Sequence, residues 1–200
     1  MSYLTEAQYE EIFDTVSIFS INDKEIENIS QYSFSCGVAK EYVTFLNLKA
    51  KKLDEMAITK TFVLIHKETK ELIGYFSLVA DTIRLTPDEK LEAGLESVEF
   101  MTLPALKIGK LAINKSLSDK AKRKGYGSFV LDTVNTYAFE MLNIGIACRF
   151  ITVDADIEYS KEDDENYPPD FYKKNGFVEN LSNKSRNAKH TISMRRDIFD

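Results

Sequence analysis

The stretch from Ala105 to Met141 constrains the chain most. An apolar run of strand length, Ala105-Leu106-Lys107-Ile108-Gly109-Lys110-Leu111-Ala112-Ile113, is followed by Val130, Val134, Tyr137, Ala138 and Met141 at helical spacing. Between them stands Lys122-Arg123-Lys124-Gly125-Tyr126-Gly127-Ser128. A turn that leads from a strand into a helix aims consecutive backbone N–H groups, and the positive end of the helix, at one point where an anion is favoured. Gly125 and Gly127 permit positive φ and close backbone approach, and the flanking lysines and arginine add charge-assisted contacts. A Rossmann fingerprint requires a third glycine where Val130 stands, and a P-loop requires Gly-Lys-Ser or Gly-Lys-Thr where Ser128 follows Gly127 directly. From these residues alone the segment is either an anion cradle or a glycine turn beside a solvated basic loop.

The remaining patterns place this turn in a mixed fold. Val38, Tyr42, Phe45, Leu46, Lys49 and Leu53 keep helical spacing, with Lys49 able to snorkel. Thr61 to His66 reads as a strand, Lys67 to Glu71 as a polar turn, and Leu72 to Ala80 as a second strand, together an antiparallel hairpin. The segment around Thr86-Pro87-Asp88-Glu89 reads as a polar interruption. The helix that starts near Ser128 stops at Gly145. Cys148 to Val153 is a short strand, Phe171 to Asn175 a short helix ended by Gly176, and Phe177-Val178 and His190 to Met194 closing strands. A hairpin followed by alternating strands and helices predicts an α/β fold with a mixed, mostly antiparallel sheet flanked by helices.

The chain has 200 residues, 44% of them apolar, enough for one hydrophobic core, and no linker or repeat divides it, so a single domain over 1–200 is expected. No apolar stretch is long enough to cross a bilayer, and Met1-Ser2-Tyr3-Leu4-Thr5-Glu6 lacks the pattern of a secretory signal, which predicts a cytoplasmic protein without a membrane partner. Cys36 and Cys148 are too few and too far apart for a disulfide framework or a metal-binding pair, and no metal is expected. His66 and His190 lie in or beside strands and read as structural.

A formal net charge of −6 disfavours nonspecific attraction to nucleic acid. The charge is uneven. Lys115, Lys120, Lys122, Arg123 and Lys124 form a basic segment, and Asp154, Asp156, Glu158, Glu162, Asp163, Asp164 and Glu165 an acidic one. Lys184, Arg186, Lys189, Arg195 and Arg196 make the C-terminal segment basic again.

Two segments carry a family resemblance. Lys122 to Gly127 resembles motif A of the GNAT N-acetyltransferases, in which Gln or Arg, two variable residues, Gly, a variable residue and Gly or Ala follow one another. Lys122 takes the first place and Gly125 and Gly127 the glycine places, with Arg123 as a stand-in for the missing guanidinium. Phe171-Tyr172-Lys173-Lys174-Asn175-Gly176-Phe177 resembles the "FYxKxGF" signature that closes many such domains. Ser33 to Gly37, Thr61 to Val63, Ile73 to Leu78 and Pro104 to Ile113 resemble the branch that includes acetyltransferase toxins of toxin–antitoxin pairs, so the likeness spans about 33–177.

The resemblance implies an acyl-CoA N-acyltransferase fold and acetyl-CoA as cosubstrate. Its pyrophosphate would sit at Lys122, Arg123, Lys124, Gly125, Tyr126, Gly127 and Ser128, and its pantetheine arm against the backbone of Leu111, Ala112 and Ile113. That strand would splay from the one at Phe150 to Val153. The implied reaction is direct attack of an amine on the thioester, with Tyr172 as the acid that protonates the leaving thiolate. Glu99 and Asp154 are candidate bases, acting through water. The acceptor is a primary amine of a small molecule, peptide or protein. Aminoacyl-tRNA acetylation by a toxin, and a silent acyl-CoA-binding module, stay open as alternatives. Relatives of this kind are often homodimers. The passage between Ala155 and Phe171 is longer and more acidic than is usual in the family, which suggests a lid that draws in cationic amines.

Overall fold

The computed structural model describes residues 3–159, 167–183 and 190–200. The first element is one the sequence patterns leave without a clear reading, α1 (Glu6–Thr15). Thr5 caps it through a capping box with Gln8, each side chain bonding the other residue's backbone. Strand β1 (Val16–Ser20) follows at once and pairs antiparallel with β2 (Lys60–His66), Val16 opposite His66 and Ser20 opposite Phe62. Strand β2 turns through residues 67–71 into β3 (Leu72–Arg84) as the expected antiparallel hairpin, with a register shift at Leu64/Ile65.

Between β1 and β2, the helical spacing around Tyr42 becomes α2 (Lys40–Phe45), a π-type turn (Leu46–Ala50) and α3 (Lys51–Glu55). After β3, the expected polar interruption is instead a short helix, α4 (Pro87–Glu92). Thr86 and Glu89 close a second capping box and Pro87 starts the helix, so polar residues here mark a helix beginning and not a loop. Then come β4 (Thr102–Ile113), α5 (Tyr126–Asn143), β5 (Phe150–Asp156), α6 (Pro168–Lys174), β6 (Val178–Glu179) and β7 (Thr191–Asp197). The strands form one sheet in the order β1-β2-β3-β4-β5-β7-β6, with β5–β7 and β7–β6 antiparallel. No described helix is long and apolar enough to cross a membrane.

The chain divides into two compact units, each assembled from separated segments, and β3, β4 and α5 run through both. In the unit of Leu4–Val79 and Ile108–Leu131, the core gathers Leu46, Ala50, Val63, Ile65, Leu72 and Tyr75, all buried. Tyr75 lies between Phe34 and Phe45, and its hydroxyl donates to Tyr42 O at 2.8 Å. In the other unit, Ile83, Leu85, Leu103, Ala105 and Phe150 pack under Ala93, Leu95 and Val98. A buried ion pair braces this second core. Arg195 Nη1 donates to Glu89 Oε1 at 2.7 Å, and the same oxygen accepts from Leu181 N at 2.8 Å.

Candidate functional site

Helix α5 starts at Tyr126, two residues earlier than the apolar spacing suggests, so Gly127 and Ser128 lie in its first turn. The N–H groups of a helix's first turn have no partner within the helix, and they carry its positive end. Gly125 stands just before the helix at φ +101°, and its carbonyl accepts from Phe129 N at 2.9 Å. A Cβ on Gly125 would meet Leu4 Cδ2 at 3.0 Å and Ile12 Cδ1 at 3.3 Å. Glycine is therefore favoured here by the left-handed backbone, and Leu4 and Ile12, the second on α1, pack closely against it.

The neighbours of the turn take different parts. Tyr126 and Ser128 are buried, and the Tyr126 hydroxyl donates to Ala121 O at 2.8 Å. Arg123, expected to reach a phosphate, points to α1, where Nη2 is ion-paired with Glu11, while its buried Nη1 has no hydrogen-bond partner among the described residues. Lys122 and Lys124 are exposed. Beside the turn is a recess of about 320 Å³ lined by Lys67, Lys120, Lys122, Arg123 and Tyr126, with Glu68 among the rest. Glu68 pairs with Lys120, and Glu71 accepts from Ser118 N and Oγ at 2.8 and 2.6 Å. These bonds hold both carboxyls below the usual carboxylate range, and they tether the basic loop to the β2–β3 turn. His66 closes that turn by accepting from Thr69 N at 3.1 Å, a satisfied structural role.

Strand β4 delivers the chain to this loop. Leu111 and Ile113 are half-buried and Ala112 is buried at its end. A Cβ on Gly74 would meet Ala112 O at 2.6 Å, so β3 passes this end of β4 at a distance only glycine allows. The next residue, Asn114, is a hub that no motif in the sequence reveals. Its Oδ1 accepts from Ser35 N at 3.0 Å and from Ser116 Oγ at 2.7 Å, and its Nδ2 donates to Ser33 O and Leu72 O at 2.8 Å. Lys115 N also donates to Ser35 O at 2.8 Å, so Ser33 to Gly37 is bound to the end of β4.

In the other unit, α6 carries Tyr172 inward. The ring is buried and stacks edge-on against Phe171 and Phe177, with centroids 5.1 and 5.4 Å away. Burial raises its phenol pKa, helped by the charge of Asp156, so the hydroxyl keeps its proton at neutral pH. Gly176, at φ +81°, ends the helix and lets Phe177 N return to Tyr172 O at 3.0 Å.

The two candidate bases separate. Glu99 is exposed in the coil before β4. Asp154 lies on β5 in a groove of about 610 Å³, where Lys107 Nζ meets its Oδ2 at 2.7 Å. Sequence patterns miss Asp81 in the same groove, half-buried on β3, whose Oδ2 accepts from Thr152 Oγ1 at 2.8 Å. It sits late in a strand of mixed polarity, where a single carboxylate carries no motif.

The C-terminal basic segment is not a cationic surface at Arg195 and Arg196. Both are buried, Arg195 on Glu89 and Arg196 over the Phe177 ring with Nη1 donating to Asn175 O at 3.1 Å. Lys184, Arg186 and Lys189, and the acidic residues Glu162, Asp163, Asp164 and Glu165, lie outside the described residues. Cys36 and Cys148 are free and buried. Among the described residues, no group of three or more His, Cys, Asp or Glu converges as metal ligands would.

No protein-family profile and no curated protein matches the chain. Solved structures do. A tyrosine-to-phenylalanine mutant of KacT aligns at TM-score 0.67 and 19% identity over 92% of this chain and 96% of that one. AtaT complexed with acetyl-methionyl-tRNAfMet aligns at 0.65 and 18% over 88% and 93%. AtaTR bound with AcCoA aligns at 0.62 and 18% over 93% and 95%. KacT and AtaT are toxin acetyltransferases of the GNAT family. Chains this similar in shape and this different in sequence share a fold, and the fold of this protein is that of the GNAT acetyltransferases.

Proposed function

We propose that the protein is an acetyl-CoA-dependent N-acetyltransferase that acts on a primary amine. The observation that carries this reading is the turn at Gly125, where a long strand enters an 18-residue helix at a left-handed glycine flanked by exposed lysines. A diphosphate fits that chemistry, through the first-turn N–H groups of Tyr126, Gly127 and Ser128 together with Lys122 and Lys124. Arg123 supports the loop from behind through Glu11. The backbone of Leu111, Ala112 and Ile113 would hold the pantetheine arm.

Acetyl-CoA, when bound, supplies an activated thioester carbonyl. In the reaction, a C–N bond forms from the neutral amine, the C–S bond breaks, and the proton lost by nitrogen ends on sulfur. A lysine-like amine of pKa about 10.4 is neutral in only about one molecule in a few thousand at pH 7, a handicap of roughly 4 to 5 kcal/mol that a base must offset. Asp154 and Glu99 are the carboxylates assigned to that task, through water. Tyr172 is assigned to hold the proton delivered to sulfur.

A second reading, acetylation of aminoacyl-tRNA, is favoured by AtaT complexed with acetyl-methionyl-tRNAfMet. Against it stand the net charge of −6 and the burial of Arg195 and Arg196, which removes two cations from any surface that meets a polyanion. Incubation of the folded protein with acetyl-labelled acetyl-CoA, and separate pools of small amines, peptides and charged tRNA, tests the assignment. Label in small amines or peptides supports the main reading. Label in tRNA alone supports the second, and no label in any pool overturns both.

A further inference from the structure

We propose that the groove on Asp81 takes a cationic acceptor with a second ammonium group besides the reacting one, and that Asp81 binds the non-reacting ammonium. This rests on the acetyltransferase reading for the transfer, but the binding stands on the groove itself. At about 610 Å³ it has the size of a small-molecule site, and its lining combines Asp81, Thr152, Asp154 and Lys107 with Ser182, Ser193 and other polar groups.

The charges in the groove are not equivalent. Asp154 and Lys107 satisfy one another at 2.7 Å. Arg84 is exposed, and its carbonyl accepts from Ser182 Oγ. Asp81 receives one neutral hydrogen bond, from Thr152 Oγ1, and makes no ion pair among the described residues. Thr152 is itself buried and fixed on β5 opposite Arg195, so the bond orients the carboxylate and leaves its remaining acceptor positions to the groove. A half-buried carboxylate aimed by a rigid neighbour, and lacking a cation, is a site for an ammonium group, and hydrogen bonds to charged partners are the stronger kind. Asp81 takes no part in the bond changes. It is a specificity residue, which distinguishes a diamine from a monoamine of the same length.

Calorimetry with the full chain tests this, using 1,4-diaminobutane and the uncharged 1-butanol as probes. The unmodified protein is expected to bind the diamine at least tenfold more tightly than the alcohol. Asp81→Asn keeps an oxygen for Thr152, so the fold is retained, and a melting curve checks this. The variant is expected to lose at least tenfold in diamine affinity while its affinity for the alcohol stays within twofold. Equal binding of the two probes, or a diamine affinity unchanged in Asp81→Asn, overturns the assignment. Acetyl transfer is scored separately. Transfer without dependence on Asp81 removes this pocket and leaves the acetyltransferase reading. Asp81-dependent diamine binding with no transfer to any acceptor does the reverse.

Discussion

Gly125 and Ile12 are in contact where a side chain would otherwise stand, Ile12 Cδ1 lying 3.3 Å from the position of a Cβ on Gly125. The glycine proposed to border the diphosphate site is thus also in contact with the N-terminal helix. Gly125→Ala is expected to destabilise the protein by about 1–3 kcal/mol, through strain at φ +101° and displacement of Leu4 and Ile12. Urea denaturation measures the loss. Unchanged stability would mean that α1 does not bear on the turn.

Glu89 joins three elements, since it closes the capping box of α4 and accepts from both Leu181 N and Arg195 Nη1. Both partners of the ion pair are buried, so removing one leaves a desolvated charge. Glu89→Ala is expected to cost about 3–5 kcal/mol by chemical denaturation, whereas breaking an exposed pair such as Lys120–Glu68 would have little effect.

The parts of the fold legible in sequence are those with a local signature of their own: the two apolar runs of the β2–β3 hairpin around a polar turn, the helical spacing of α5 and the glycines that end α5 and α6. Helices α1 and α4 have little apolar periodicity to announce them, although Thr5/Gln8 and Thr86/Glu89 each spell a capping box. The candidate site divides in the same way. Gly125 and Tyr172 belong to segments with a recognisable order, but the turn of Arg123 toward Glu11 depends on a helix 112 positions away. Asn114 and Asp81 act through partners distant in sequence, and no local pattern marks them.

Tyr172→Phe removes one hydroxyl and keeps the ring that stacks on Phe171 and Phe177. If the phenol donates the proton to the leaving sulfur, kcat falls by roughly 10²- to 10⁴-fold, with acetyl-CoA affinity little changed. Equal turnover by the two proteins would assign Tyr172 to packing alone.

Burial pushes the Cys36 thiol up to about 11 from an ordinary value of 9.0, against the opposing pull of Lys115. At pH 8 only about a thousandth of it is thiolate, so alkylation of the native protein is expected to be slow and to accelerate on unfolding. The unfolded chain ionises this thiol first. Its contribution to stability is therefore complete below about pH 9 and declines as pH rises toward 11. Rapid labelling of native Cys36 at pH 8 would contradict its place in the core.

The central claim is that the turn before α5 holds the diphosphate of acetyl-CoA, and calorimetric titration of acetyl-CoA into the unmodified protein and Lys122→Glu tests it most directly. Lys122 is exposed, so reversing its charge leaves the core untouched. Saturable binding by the unmodified protein, and a dissociation constant at least tenfold higher in the variant, a difference of about 1.4 kcal/mol, is the result expected. No binding to the unmodified protein, or equal affinity in the two, would contradict it.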